Sequence, residues 1–341
     1  AYRGERRNYL PIDTENRNAM NLFEVVKFMS ESHKKFNGVE SYIPTSIMQA
    51  PVDIAAIRKN NALPTTTPDS LIPSVIEFIA ATPYWTKDDL ALIDIISTNI
   101  QNGWERPIYF AVTCRPDKLA PYRDYLQLEG MALRLIPFRT PANPNSYAAM
   151  QLGRVEIDTM YNNIMTRFRW GNFDKIEAFI DESYRPSVQS VQYSMVRLTD
   201  ELIRAGDNER AKNVIEKFFT VFPHMNFPYD ENRVATQMLM YYYRIGQRAE
   251  ADKIVDIIVT ELIAKYKFYQ SLTSARERSA FDSDLQYNLY LFENMQGLMA
   301  QSTDAAFKEK MNLALQEAKI PLSQPMPEPP PVPTTVDTTK K

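Results

Sequence analysis

The sequence predicts an α+β chain, mainly helical, in which a small α/β layer is followed by a stack of helical hairpins. Glycine is scarce, 9 in 341 residues, while long segments are rich in Leu, Ile, Met, Ala, Glu and Lys, which favour helix over sheet. Helix, strand, helix and strand patterns follow one another between residues 86 and 138, the order of a small α/β layer. In the second half Gly206 and Ala211 recur forty residues later as Gly246 and Ala251, each pair lying between apolar-periodic stretches. The expected organisation is an α/β domain over 1–150, helical repeats over 151–320 and a proline-rich tail over 321–341.

Residues 15–37 read as an amphipathic helix, with Phe23, Val26, Met29 and Phe36 near one face and Gly38 stopping it. Ser41-Tyr42-Ile43-Pro44 reads as extended, and 60–73, with Pro64, Pro68 and Pro73, as a loop. Thr86-Lys87-Asp88-Asp89 has the form of a capping box. The helix after it, 90–100, is apolar nearly all round and is expected to be buried, with Asp94 held by a buried hydrogen bond. Asn102-Gly103 ends it, and the apolar run 107–113 reads as a strand covered on both faces. Arg115-Pro116-Asp117 opens a short helical connection, and 131–138 supplies a second strand whose Pro137 suggests an edge.

From Gly153 onward the pattern is helical. Residues 161–170 read as a helix, Gly171-Asn172 as a turn and 173–182 as a returning helix, a degenerate first repeat 35 residues before Gly206. In the clear repeats Gly ends one helix, the small Ala lets the next pack closely, and Pro223 stops the second helix. Such a unit resembles a tetratricopeptide repeat. Helices over 283–299 and 303–319 close the stack, and the tail from Pro325 to Pro331 cannot bury a core. If the stack forms a groove, its wall-facing positions are Tyr193, Asp200, Arg204, Arg233, Tyr243 and Arg244, which suit an extended polypeptide or an acidic ligand; the plainer alternative is a solvated surface.

A net charge of −3 with interspersed signs gives no field for nucleic acid. One cysteine and two distant histidines leave no metal set, and neither a catalytic residue nor a cofactor motif stands out. Cys114 has no histidine near it in sequence and reads as a buried thiol; His33 and His224 read as packing or capping residues. Trp104-Glu105-Arg106 combines an aromatic face, a carboxylate and a guanidinium that could hold a sugar or peptide, or Trp104 could simply pack over the sheet end. Tyr84-Trp85 and Trp170 read as packing anchors. No apolar run reaches the ~18 residues of a membrane helix, and the start at Ala1 suggests a piece of a longer chain.

Several stretches in order carry a family resemblance: Asp94-Ile95-Ile96, Asn102 through Ala111, Tyr125 through Gly130, Leu133 through Pro137, Met160 through Asn163, Phe168 through Asn172, Phe222-Pro223 and Phe227-Pro228-Tyr229. From about Tyr42 to Tyr269 the chain resembles the soluble C-terminal region of bacterial multi-pass membrane proteins similar to the transmembrane protein O-mannosyltransferases. The resemblance implies an N-terminal membrane domain of the lipid-sugar-dependent glycosyltransferase fold, with its catalytic carboxylate there and none here. It places this region at the periplasmic face of the inner membrane, where it would dock an acceptor polypeptide or brace the membrane domain. The alternative is a non-catalytic repeat scaffold that binds a protein partner.

Overall fold

The computed structural model describes residues 8–31, 41–140 and 152–321. Its architecture is the expected one, a mixed α/β region followed by long helices packed as hairpins. Two compact units divide it, Ala1–Trp170 with Asp181–Val214, and Gly171–Ile180 with Ile215–Lys341.

The first unit holds small sheets rather than one layer. Strands β1 (Tyr9–Pro11) and β5 (Tyr84–Thr86) pair antiparallel; β2 (Met20–Asn21) runs parallel to β3 (Ile47–Pro51), which pairs antiparallel with β4 (Val75–Ile79). A four-stranded sheet has the order β6 (Tyr109–Ala111), β8 (Ala132–Leu135), β7 (Leu126–Leu128), β9 (Arg154–Val155). Around them lie α1 (Leu22–Met29), α2 (Ile54–Lys59), α3 (Lys87–Gln101), α4 (Pro116–Leu119), α5 (Ile157–Asn162) and α6 (Arg185–Arg204). Buried Phe78, Tyr122 and Tyr125 form the aromatic centre of this core, with the Phe78 ring edge-on to both tyrosines at 5.2 and 5.5 Å.

Several expectations are corrected here. Helix α1 starts at Leu22, not near 15, because side chains claim the preceding backbone: Asp13 Oδ1 accepts from the amides of Glu15 and Asn16, and Asn21 caps the helix through the Phe23 amide. Its buried face is Leu22, Val25 and Met29; Phe36, Gly38 and His33 lie outside the described residues. Helix α3 has its capping box, with the Thr86 amide donating to Asp89 Oδ2 at 2.9 Å, but it buries only one face. Ile93, Ile96 and Ile100 point inward, whereas Asp94 and Ile95 are exposed, so the expected buried Asp94 is not found. Strand β6 is an edge with only Phe110 buried, and β8 is central, since Pro137 falls beyond its last residue. Residues 161–170 begin in α5, continue as a π-helical stretch at Asn163–Arg167, and are extended at Phe168.

The expected return helix at 173–182, and with it the degenerate first repeat, is also overturned. Gly171 and Asn172 are both left-handed (φ +73° and +60°), and the Asn226 side chain takes the next turn's backbone groups. Its Nδ2 donates to the carbonyls of Phe173 and Ile176, both at 2.8 Å, and its Oδ1 accepts from the Ala178 amide at 2.7 Å. A side chain that satisfies these groups competes with the helical ladder.

The clear repeats form as expected. Helix α7 (Asn208–Val221) follows α6 across Gly206 (φ +77°), and α8 (Arg233–Arg244) is followed across Gly246 (φ +79°) by α9 (Arg248–Ser271). Ala211 and Ala251 are fully buried, and Pro223 stands just past the end of α7. In the second unit α9 packs on α8 and, further on, on α11 (Asp282–Ala300) and α12 (Ala305–Glu317), with α10 (Ala275–Ala280) at the corner. The tail beyond 321 lies outside the described residues.

Candidate functional site

The turn that closes α3 positions the Trp104-Glu105-Arg106 trio. At Gly103 (φ +65°) a Cβ would lie 2.6 Å from that of Ala56, so only glycine fits. Trp104 is left-handed as well (φ +61°), an uncommon conformation for a large residue. The Trp104 amide donates to Asn99 O at 2.9 Å, the Arg106 amide to Asn99 Oδ1 at 3.1 Å, and Asn60 Nδ2 to the carbonyls of Asn102 and Gly103 at 3.1 and 2.9 Å. Trp104 is only 5% exposed, so its ring face is not presented; Glu105 and Arg106 are exposed. Trp104 Nε1 and Asn99 Nδ2 are buried donors without an acceptor among the described residues.

Beyond this turn the chain enters β6, and the register lines up one polar residue from each strand. Tyr109 faces Arg134, Arg134 faces Gln127, and Gln127 faces Arg154. Glu129 gathers this row. Its carboxylate accepts from Tyr109 Oη at 3.0 Å, Gln127 Nε2 at 2.9 Å and, more loosely, Arg134 Nη1 at 3.5 Å. Arg154 donates twice to Gln127 Oε1, at 3.2 and 2.9 Å, and Arg134 Nη2 donates to Ala62 O at 2.6 Å. Burial, and then the Glu129 carboxylate, push the Tyr109 hydroxyl above its ordinary pKa against the pull of Arg134. Residues far apart in sequence meet here, so only strand register, which short runs do not specify, could have revealed the row.

A second charged group sits at the start of α3. Lys118 Nζ lies 2.8 Å from Asp88 Oδ2 and 2.9 Å from both Asp89 oxygens, and donates to Thr86 Oγ1 at 2.8 Å. Hydrogen bonds from Lys118 and then Thr86 lower Asp88 from 3.8 to about 2. The capping box was legible in sequence, but Lys118, 29 residues beyond Asp89, was not.

The six groove positions fall in both units, three in each. In the first unit Tyr193 is half-buried, and buried Asp200 pairs with Arg204 at 3.0 Å. Nearby, buried Arg197 donates to Gly153 O at 2.6 Å, and burial lowers its pKa to about 10. In the second unit Arg233 and Arg244 are exposed, while Tyr243 is buried and donates to Asp252 Oδ1 at 2.7 Å. Asp252 also accepts from Ser302 Oγ at 2.5 Å. Cys114 is exposed, which corrects the expected buried thiol: it follows an edge strand that covers no core at that point. His224 caps a turn, its Nδ1 accepting from the Tyr229 amide at 3.2 Å. Among the described residues no group of His, Cys, Asp and Glu could hold a metal ion, and no helix is long and apolar enough to cross a membrane.

Residues 1–159 match the family described as TMEM260-associated domain 2. That segment is similar to a domain associated with the TMEM260 proteins, in keeping with the resemblance to a region of multi-pass membrane proteins. The β6 strand, the Glu129 row and the α3 turn all lie inside the matched segment; α6 through α12 lie outside it. No curated protein matches the chain, and no solved structure does.

Proposed function

We propose that this chain is the periplasm-facing accessory region of a membrane-embedded, lipid-sugar-dependent protein glycosyltransferase. In this reading it is not the catalyst; it docks the acceptor polypeptide or braces its own N-terminal membrane domain. The observation that carries the reading is the family match over residues 1–159. The described residues add that their buried carboxylates are engaged structurally, Asp200 by Arg204, Asp252 by Tyr243 and Ser302, and Asp230 by Lys265 at 2.5 Å. The organisation into an α/β domain over 1–150 and a repeat domain over 151–320 belongs to the same proposal. The test is reconstitution of the full-length parent with lipid-linked sugar: deletion of this region is expected to abolish transfer to polypeptide acceptors, and equal transfer without it would sink the docking role.

A second reading, a repeat scaffold for a partner protein, draws support from the paired hairpins at Gly206 and Gly246. Pull-down with an Arg204, Arg233 and Arg244 triple alanine variant separates the two. Loss of a partner would favour the scaffold, and unchanged capture would leave those arginines as solvated surface.

A further inference from the structure

The outer edge of β6 carries a regular strand ladder that no described residue uses. The Val112 amide donates to Met131 O at 3.2 Å and the Leu135 amide to Ile108 O at 3.0 Å, so residues 108, 110 and 112 face β8 while 107, 109 and 111 face away. The Ala111 carbonyl is taken by the Cys114 amide at 2.9 Å. Four groups remain in order along the edge: Pro107 C=O, Tyr109 N–H, Tyr109 C=O and Ala111 N–H. None of them is hydrogen-bonded among the described residues, and Pro107, Tyr109 and Ala111 are exposed.

The longer edge strand β4 is managed differently. Its Glu77 amide, which points away from β3, donates to Tyr125 Oη at 2.9 Å, and the turn at Ala120–Tyr125 packs along the strand. Natural sheets cover or blunt their edges because an open one pairs with another chain. The β4 edge is covered at its centre, and the β6 edge has no such partner among the described residues.

We infer that the free edge of β6 takes an extended, unfolded polypeptide segment as an added strand. Alternating acceptor and donor groups at strand spacing are complementary to an extended backbone, and main-chain bonds of this kind bind with little regard to sequence. A second copy of the chain could offer the same groups, but a stable dimer needs about 1,200 Å² or more of buried surface, far beyond what a three-residue strand supplies. Transient capture needs no such area. The exposed Arg106 guanidinium at the entrance of the ladder favours an acidic residue on the incoming segment. The choice of an unfolded polypeptide as occupant rests on the acceptor-docking reading; the open ladder does not.

The probe is an N-acetylated heptapeptide of alternating threonine and valine with one aspartate, added to the full chain, with the same peptide N-methylated at alternate amides as its control. Residue-resolved hydrogen exchange should show Tyr109 and Ala111 amides exchanging fast in the free protein and slowing about tenfold or more with the peptide, while Phe110 and Val112 stay protected throughout. The methylated peptide should have no effect. Ala111→Pro removes an outward N–H that β8 does not use, so it should abolish the slowing without lowering the unfolding temperature. Ala111→Lys, which blocks an edge by charge, serves if the proline variant fails to fold. The inference is overturned if the free protein already protects Tyr109 and Ala111 like Phe110, or if both peptides act alike. Protection that rises with protein concentration alone would overturn it in favour of a second copy. Peptide capture at β6 by a region whose deletion leaves acceptor transfer intact would keep the inference and remove the docking reading; the reverse pair of results would remove the inference alone.

Discussion

The Glu129 row of the first unit and the polar fastenings of the second are built differently. In the first, side chains from three strands share one carboxylate, with Tyr109, Gln127 and Arg134 all donating to Glu129. In the second, single side chains reach across long stretches of sequence: Lys265 to Asp230 and Glu231 at 2.5 and 2.7 Å, Ser302 to Asp252, Asn226 to the 173–178 backbone. A shared acceptor tolerates the loss of one donor, because its remaining bonds keep it satisfied. A two-member fastening does not. The Glu129 row is thus more tolerant of losing one donor than these contacts of the helical unit.

The largest effects should come from the two aromatic cores. Phe78→Ala and Phe218→Ala, each removing a fully buried ring, should cost about 3–5 kcal/mol. If the units unfold separately, calorimetry will show Phe78→Ala lowering one transition and Phe218→Ala the other; a single transition shifted equally by both would erase the distinction between them. Next come two left-handed glycines. A Cβ at Gly153 (φ +72°) would sit 2.4 Å from Leu126 O, whereas Gly246 (φ +79°) has open space. Gly246→Ala should cost about 1 kcal/mol of backbone strain, and Gly153→Ala about 2–4 kcal/mol once overpacking against the sheet is added, measured by denaturant titration.

The donor comparison gives the third test. Tyr243→Phe leaves buried Asp252 with Ser302 as its one remaining side-chain hydroxyl donor and should cost about 1–2 kcal/mol; Tyr109→Phe, at an exposed ring, leaves half-buried Glu129 with two donors and should cost under about 0.5 kcal/mol. Equal costs would end the contrast drawn above. The smallest effect concerns Asp88. Its folded pKa of about 2 lies below the ordinary 3.8, so the unfolded state binds the proton first as pH falls. The Lys118 contact therefore contributes fully above pH 3.8 and is lost between there and about pH 2. Asp88→Asn should flatten the stability profile in that window only slightly, since the carboxylate is largely exposed.

Sequence reasoning succeeded where the signal is local. Gly206, Ala211, Gly246 and Ala251 mark helix ends by conformation and size alone, and Thr86 with Asp89 marks a helix start three residues apart; each of these was legible. It failed where partners are distant. Strands β7 and β9 are three and two residues long, too short for an alternating pattern, and they exist because β8 and β7 pair with them. Residues 173–182 have helical composition, yet Asn226, some fifty residues away, holds part of that backbone otherwise. The apolar run at 107–113 has the composition of a doubly covered strand, and composition does not say which strand lies beside it. Of the candidate site, Trp104 was found by its neighbours in sequence, but the open ladder that starts beside it depends on register with β8.

One hydroxyl described above bears on the fate of the protein outside its folded function. Tyr125 Oη is the atom that occupies the middle of β4, whose flanking Val75 and Ile79 are exposed. Without it the middle of β4, a five-residue strand that is apolar except at Glu77, would present an unpaired edge of the kind that pairs with other chains. Tyr125→Phe would leave the ring packed against Phe78 and most of the thermal stability in place, yet shorten the lifetime of a concentrated solution. In that sense the residue protects solubility more than it supports the fold.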